Sequence, residues 1–245
     1  NKAISGLYPP GSTIKTLTAL SALENDVVSS KLIVKCDGYI DLHGERFHCW
    51  KKKGHGIVGM RTALKKSCDV YFYEVARKLG IDRLADTASK FGLGEKVLAN
   101  SKEEKAGVVP NTKWKIKELG KNWYLGETLH SGIGQGYFLT NPLQLSLMTA
   151  QIANGGFKIK PRIVVGENDK ISNLQKYLNF KESNPGNIMP LNDQIYNFNL
   201  KPLFRNQENI NLIKDAMFAA TNEIGGTSYR SRHKEKKFMF AGKTG

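Results

Sequence analysis

The sequence predicts an α+β fold. Three observations carry that expectation: apolar residues recur at helical spacing early in the chain, a capped helix stands near its middle, and strand-like stretches come late. The 245 residues suit one large or two small domains. A chain of that length buries roughly 70–75% of its unfolded surface, enough for a real core. We expect a single domain over residues 1–245, with residues 31–59 as a loop insertion.

The elements follow in order. Tyr8-Pro9-Pro10-Gly11 reads as a turn that opens a helix, and Ile14, Leu17, Leu20 and Leu23 give that helix an apolar face. Residues 31–56 are polar and rich in Gly, His, Cys and Lys, and read as a long loop. Met60, Ala63, Leu64, Tyr71, Val75 and Leu79 keep helical spacing until Gly80 stops it. Ile81–Phe91 predicts a short helix ended by Gly92. Asn141 before Pro142 is a cap followed by the residue best suited to a first turn, so a helix runs to Asn154 and ends at Gly155-Gly156. Phe157–Val165 alternates as a strand, Gly166–Asn206 reads as mostly loop, Asn209–Thr221 as an amphipathic helix, and Lys237–Gly245 as an apolar-rich strand.

Composition removes whole classes. Apolar residues at 40% and charged residues at 24% exclude a disordered or collagen-like chain. No apolar run approaches the ~18 residues of a membrane span. The chain begins without Met and stops directly after Gly245, so it reads as a piece cut at both ends. With 37 Lys and Arg against 22 Asp and Glu, the net charge is +15, which suits nucleic acid, anionic lipid or an anionic polymer as partners. Three cysteines are too few for a disulfide scaffold and cannot all pair internally.

Three short motifs stand in a fixed order. The first is Ser12-Thr13-Ile14-Lys15, an S-x-x-K where a turn becomes a helix. One helical turn sets Lys15 on the face of Ser12, the helix dipole favours an alkoxide there, and a neighbouring amine of lowered pKa can take the hydroxyl proton. A second S-x-x-K, Ser231-Arg232-His233-Lys234, lies in the basic run Arg230–Lys237 and reads as solvated surface. The second motif is Ser67-Cys68-Asp69, whose plain reading is a helix cap. The third is Lys243-Thr244-Gly245, where the glycine leaves room for a ligand's backbone. Each is uninformative alone; the ordered triple is not.

That triple resembles the signature of the penicillin-binding and serine beta-lactamase superfamily. Tyr8–Lys15, Trp50–Gly56, Val70–Ala76, Gly80–Leu84 and Gly132-Ile-Gly-Gln-Gly136 make the chain similar to the transpeptidase domains of class B penicillin-binding proteins of the cell-elongation type. The resemblance implies a beta-lactamase/transpeptidase-like fold, with a helical subdomain and an antiparallel sheet, truncated at its C-terminal end. It implies that Ser12 attacks the carbonyl between two terminal D-alanines, that Lys15 is its base, and that Ser67 relays a proton to the leaving amine. Asp69, where the family more often has Asn, would contact the acyl substrate. Lys243, Thr244 and Gly245 would receive the substrate carboxylate. Beta-lactams would acylate Ser12. Peptidoglycan stem peptides, an elongation glycosyltransferase and scaffold proteins are the implied partners, at the periplasmic face of the bacterial inner membrane. No catalytic cofactor is implied. The family's second oxyanion donor follows the K-T-G glycine, and losing one donor costs ~10²–10³ in rate. A chain ending at Gly245 is therefore expected to react weakly or not at all with a fluorescent penicillin.

Cys36, Cys49, His55 and Cys68 follow Cys-x12-Cys-x5-His-x12-Cys. Three thiolates and an imidazole make a closed set for structural zinc, and a metal would order a segment with little apolar material. A Cys36–Cys49 disulfide and unlinked thiols are the alternatives, and His43 and His48 are rival fourth ligands. Other functions stand open beside the transpeptidase. A serine beta-lactamase or beta-lactam sensor would share the triple, but no convincing E-x-x-L-N supplies a class A deacylating glutamate. A nucleic-acid-binding module would need a basic stripe interleaved with aromatics, and Arg230–Lys237 holds only His233. A cell-wall scaffold with Ser12 idle is the third.

Overall fold

The computed structural model describes residues 1–98, 101–161 and 202–245. Nine helices and four short strands appear among them: α1 (Lys2–Ser5), α2 (Lys15–Glu24), β1 (Ile33–Cys36), β2 (Tyr39–Leu42), β3 (Glu45–His48), β4 (Gly56–Gly59), α3 (Met60–Lys65), α4 (Asp69–Leu79), α5 (Ile81–Lys90), α6 (Thr112–Leu119), α7 (Leu125–Gly132), α8 (Pro142–Ala153) and α9 (Gln207–Asn222).

Helix α2 is the hub. The repeat at Ile14, Leu17, Leu20 and Leu23 predicts one apolar face, yet every residue from Lys15 to Leu23 is buried. Its other faces carry small and hydroxyl side chains whose polar atoms find partners inside. Thr18 donates to Gly132 O at 2.8 Å, and Ser21 pairs with Thr87 at 2.7 Å. Helices α4, α5 and α9 close around it. Helix α7 lies so tightly on α4 that a Cβ at Gly132 would stand 2.4 Å from that of Ala76. Among the described residues no helix is long and apolar enough to cross a membrane.

The predicted helix over 60–79 is two helices, because α3 ends in a Schellman motif. Cys68 N–H donates to Ala63 O and Ser67 N–H to Leu64 O, with Ser67 in the left-handed region at φ 52°. A glycine usually fills that position; a side chain there costs about 1 kcal/mol. Helix α5 ends in the same motif at Gly92, φ 86°, where the sequence does announce it. The helix from Asn141-Pro142 is as expected, with the Asn141 side chain accepting from Gln144 N–H and the Gln144 side chain from Asn141 N–H.

Residues 31–56 are not a loop. β1 pairs antiparallel with β4, and β2 with β3 through a two-residue turn at His43-Gly44, both at positive φ. Each ladder has only two strands, a marginal unit on its own. The expected strand over Lys237–Gly245 is absent. A strand needs a hydrogen-bonding neighbour, and this segment is instead tied to α9, with Gly242 N–H on Met217 O and Asn222 Nδ2 on Phe240 O. Of the expected strand Phe157–Val165, the described part to residue 161 makes only a bridge from Phe157 to Pro202, and the rest lies outside the described residues. So does most of the predicted loop Gly166–Asn206. Arg230–Lys237 is surface, as expected.

Candidate active site

An open cleft of about 420 Å³ is lined by Ser12, Trp50, Ser67, Asp69, Gln135, Thr227, Thr244 and Gly245. Six separated stretches of chain line it, the three motif segments among them. Ser12 sits half-buried in a 3₁₀ turn, Gly11–Ile14, that runs straight into α2. Gly11 has φ 57° and donates to Gly134 O at 2.9 Å, while a Cβ at Gly134 would lie 2.0 Å from Gly11 O. The Gly132–Gly136 turn therefore braces the turn of Ser12 by backbone contact that no side chain permits.

Lys15 is fully buried and points at the α3–α4 junction. Its ammonium donates to Ser67 O (3.0 Å), Ser67 Oγ (3.2 Å) and Asp69 Oδ1 (2.5 Å). Lys243 Nζ donates to the same Ser67 Oγ at 2.8 Å, and Thr244 Oγ1 to Thr227 at 2.9 Å. Ser67 Oγ thus lies between two amines, presented by the left-handed residue that ends α3. Burial lowers the pKa of both lysines. For Lys15 the carboxylate of Asp69 opposes that shift; for Lys243 the nearby Lys15 charge adds to it and brings the value to about 7. Asp69, where Asn is commoner, is held at both oxygens, by Lys15 and by Trp50 N–H at 2.8 Å.

The second cluster begins one residue away. Cys36 ends β1, Cys49 follows β3, His55 precedes β4 and Cys68 caps α4. Their donor atoms all lie within 4.8 Å of one another, and the three thiols are free. His55 Nδ1 faces Cys36 Sγ at 3.7 Å and Cys49 Sγ at 3.5 Å. The Cys68 thiol hydrogen-bonds Cys49, pulling Cys49 down to about 5 and pushing Cys68 up. His43 and His48 are exposed and stand outside the cluster, so His55 is the fourth member. Soft donors at these separations fit tetrahedral zinc, whose Zn–S bonds of ~2.3 Å set sulfurs ~3.8 Å apart.

Of the residues singled out in the three motifs, Ser12, Ser67, Asp69, Thr244 and Gly245 line this cleft, and Lys15 and Lys243 meet its Ser67 hydroxyl. Three lining residues carry no role in the sequence reading: Trp50, Gln135 and Thr227. Trp50 and Gln135 lie inside quoted motif flanks, where adjacency to Cys49 and to two glycines is the available signal. Thr227 has none.

The model of the penicillin binding protein transpeptidase domain matches residues 1–245. The peptidoglycan D,D-transpeptidase MrdA of Acinetobacter baumannii is 41% identical over 166 residues, covering 67% of this chain and 25% of its own length. Among solved structures, Pseudomonas aeruginosa PBP2 in complex with WCK 5153 superposes with a TM-score of 0.75 at 33% identity, over 94% of this chain and 48% of that one. Helicobacter pylori PBP2 in complex with MreC gives 0.78 at 29%, over 96% and 39%. The chain spans about a quarter of the length of the curated relatives it matches.

Proposed function

The chain belongs to the penicillin-binding protein transpeptidase domain family, and we propose that it forms a serine acyl-enzyme from D-Ala-D-Ala stem peptides and cross-links peptidoglycan during cell elongation. One observation carries the reading: the buried Lys15 amine reaches Ser67 and Asp69, and Lys243 meets the same Ser67 hydroxyl, in the cleft that Ser12 opens into.

Ser12 Oγ attacks the carbonyl between the terminal D-alanines and gives up its proton to Lys15, whose lowered pKa makes the neutral amine accessible. Ser67 hands a proton to the departing D-alanine amine and is resupplied by the amines on either side. Lys243, Thr244 and Gly245 hold the terminal carboxylate. An amine of a second stem peptide then takes the acyl group from Ser12. Cys36, Cys49, His55 and Cys68 hold a structural zinc, which supplies order rather than chemistry. The working place is the periplasmic face of the inner membrane, beside an elongation glycosyltransferase and scaffold proteins; the complex of the Helicobacter pylori relative with MreC supports a protein partner. The net charge of +15 suits an anionic membrane and an anionic wall polymer.

Long exposure to a penicillin, so that even slow acylation accumulates, tests this. The tryptic peptide Ala3–Lys15 is expected to gain the mass of the antibiotic, and to keep it for hours. An adduct elsewhere would overturn the role of Ser12. Rapid release of hydrolysed drug would favour the beta-lactamase alternative.

Lys243 adds a pH prediction. Its pKa near 7 means that it carries charge below that value and loses it above. Binding of a carboxylate-bearing penicillin is therefore expected to weaken by up to about tenfold per pH unit above 7. Lys243→Arg, which stays charged, should flatten that alkaline limb in acylation rates measured between pH 6 and 9.

A further inference from the structure

We propose that Trp50 is a positioning residue for acylation, clamping the Ser67–Asp69 turn in the geometry that presents Ser67 Oγ to both lysines. The proposal rests on the acyl-enzyme reading above. Trp50 is odd as a packing residue, being 59% exposed with its polar edge turned inward. Its indole Nε1–H donates to Ser67 O at 3.0 Å and Lys66 O at 3.2 Å, and its backbone N–H donates to Asp69 Oδ2 at 2.8 Å. One residue thus grips the turn on both sides of Cys68. The carbonyls it reaches belong to the end of α3, where helix geometry leaves acceptors without a partner. The residue it braces is Ser67, whose left-handed backbone is the least favourable feature of the turn.

The clamp is itself anchored. Cys49 N–H donates to Gly38 O at 2.8 Å. Gly54 and Gly38 pack backbone on backbone, so that a Cβ on either would meet a carbonyl oxygen of the opposing strand turn at 2.0 and 2.1 Å. The Trp50 ring stands edge-on to His55 with centroids 5.3 Å apart. Order in the cysteine and histidine cluster therefore reaches the Ser67–Asp69 turn through Trp50 as well as through Cys68 itself.

The test is a shape-conserving replacement of Trp50 by β-(3-benzothienyl)alanine, which deletes only the indole N–H, with Trp50→Phe as a second variant. Acylation by a penicillin is resolved into noncovalent affinity and the rate of the chemical step. The rate is expected to fall about tenfold for both variants, with affinity within twofold and the melting temperature little changed. An unchanged rate overturns the proposal. So does a change confined to affinity, which would make Trp50 merely a wall of the cleft. If the parent chain carries no adduct on Ser12 even after the long exposure that lets slow acylation accumulate, it is the acyl-enzyme reading that fails, a result separable from either of these.

Discussion

Lys15→Ala is expected to lower the rate of Ser12 acylation by roughly 10³-fold, within the 10²–10⁴ range of general-base catalysis, and to destabilise the domain as well. The two effects have different origins. Lys15 opens α2 directly after the turn that carries Ser12, and its burial lowers its pKa, as the proposed role of base requires. Its removal also strands Asp69, whose side chain is 10% exposed and whose other partner is the Trp50 N–H. Breaking one side of a buried pair costs roughly 3–5 kcal/mol, which for a domain of this size lowers the melting temperature by about 10 °C. The double variant Lys15→Met with Asp69→Asn separates them. It removes the unpaired charge, so most of the melting temperature should return while acylation stays near the floor set by Ser12→Ala. Acylation of Lys15→Ala within tenfold of the parent would remove Lys15 as the base.

What the sequence discloses follows from where the physical signal is local. Asn141-Pro142 and Gly92 mark helix ends because the cap and the left-handed glycine are chemical features of single residues. The ordered motifs disclose the cleft because each brings its own chemistry. Ser67 hides its role in the fold: the apolar spacing from Met60 to Leu79 runs on without interruption, and the break depends on a serine taking the backbone position of a glycine. The strands from Ile33 to Gly59 are four residues each with mostly exposed side chains, so no buried face imposes alternation. The C-terminal stretch reads as a strand because its residues are apolar, but pairing is a property of neighbours, not of composition. Trp50 is legible only after folding, since its donors act on residues far along the chain.

The second large effect is expected from the metal cluster. Purified protein should carry about one zinc per chain, and chelation or Cys68→Ala should lower the melting temperature by roughly 10 °C. A ligand present at a thousand times its dissociation constant adds ~4 kcal/mol, and a domain of this size loses ~2–4 °C per kcal/mol. The site has reason to need that contribution. The four donors come from the ends of two marginal ladders and the start of α4, so one ion there would tie three elements together at a single point. A Cys36–Cys49 disulfide would take two of the four ligands, so zinc content and disulfide content must vary inversely. Zinc absent together with readily alkylated Cys36 and Cys49 would remove the site. Cys68 lies between Ser67 and Asp69, so the consequence reaches the chemistry. Stripping the metal should also slow acylation about tenfold below the melting transition, because Ser67 keeps its hydroxyl but loses the fixed turn that aims it between Lys15 and Lys243. A fall in stability with acylation unchanged would confine the metal to the ladders and leave the catalytic turn to hold itself.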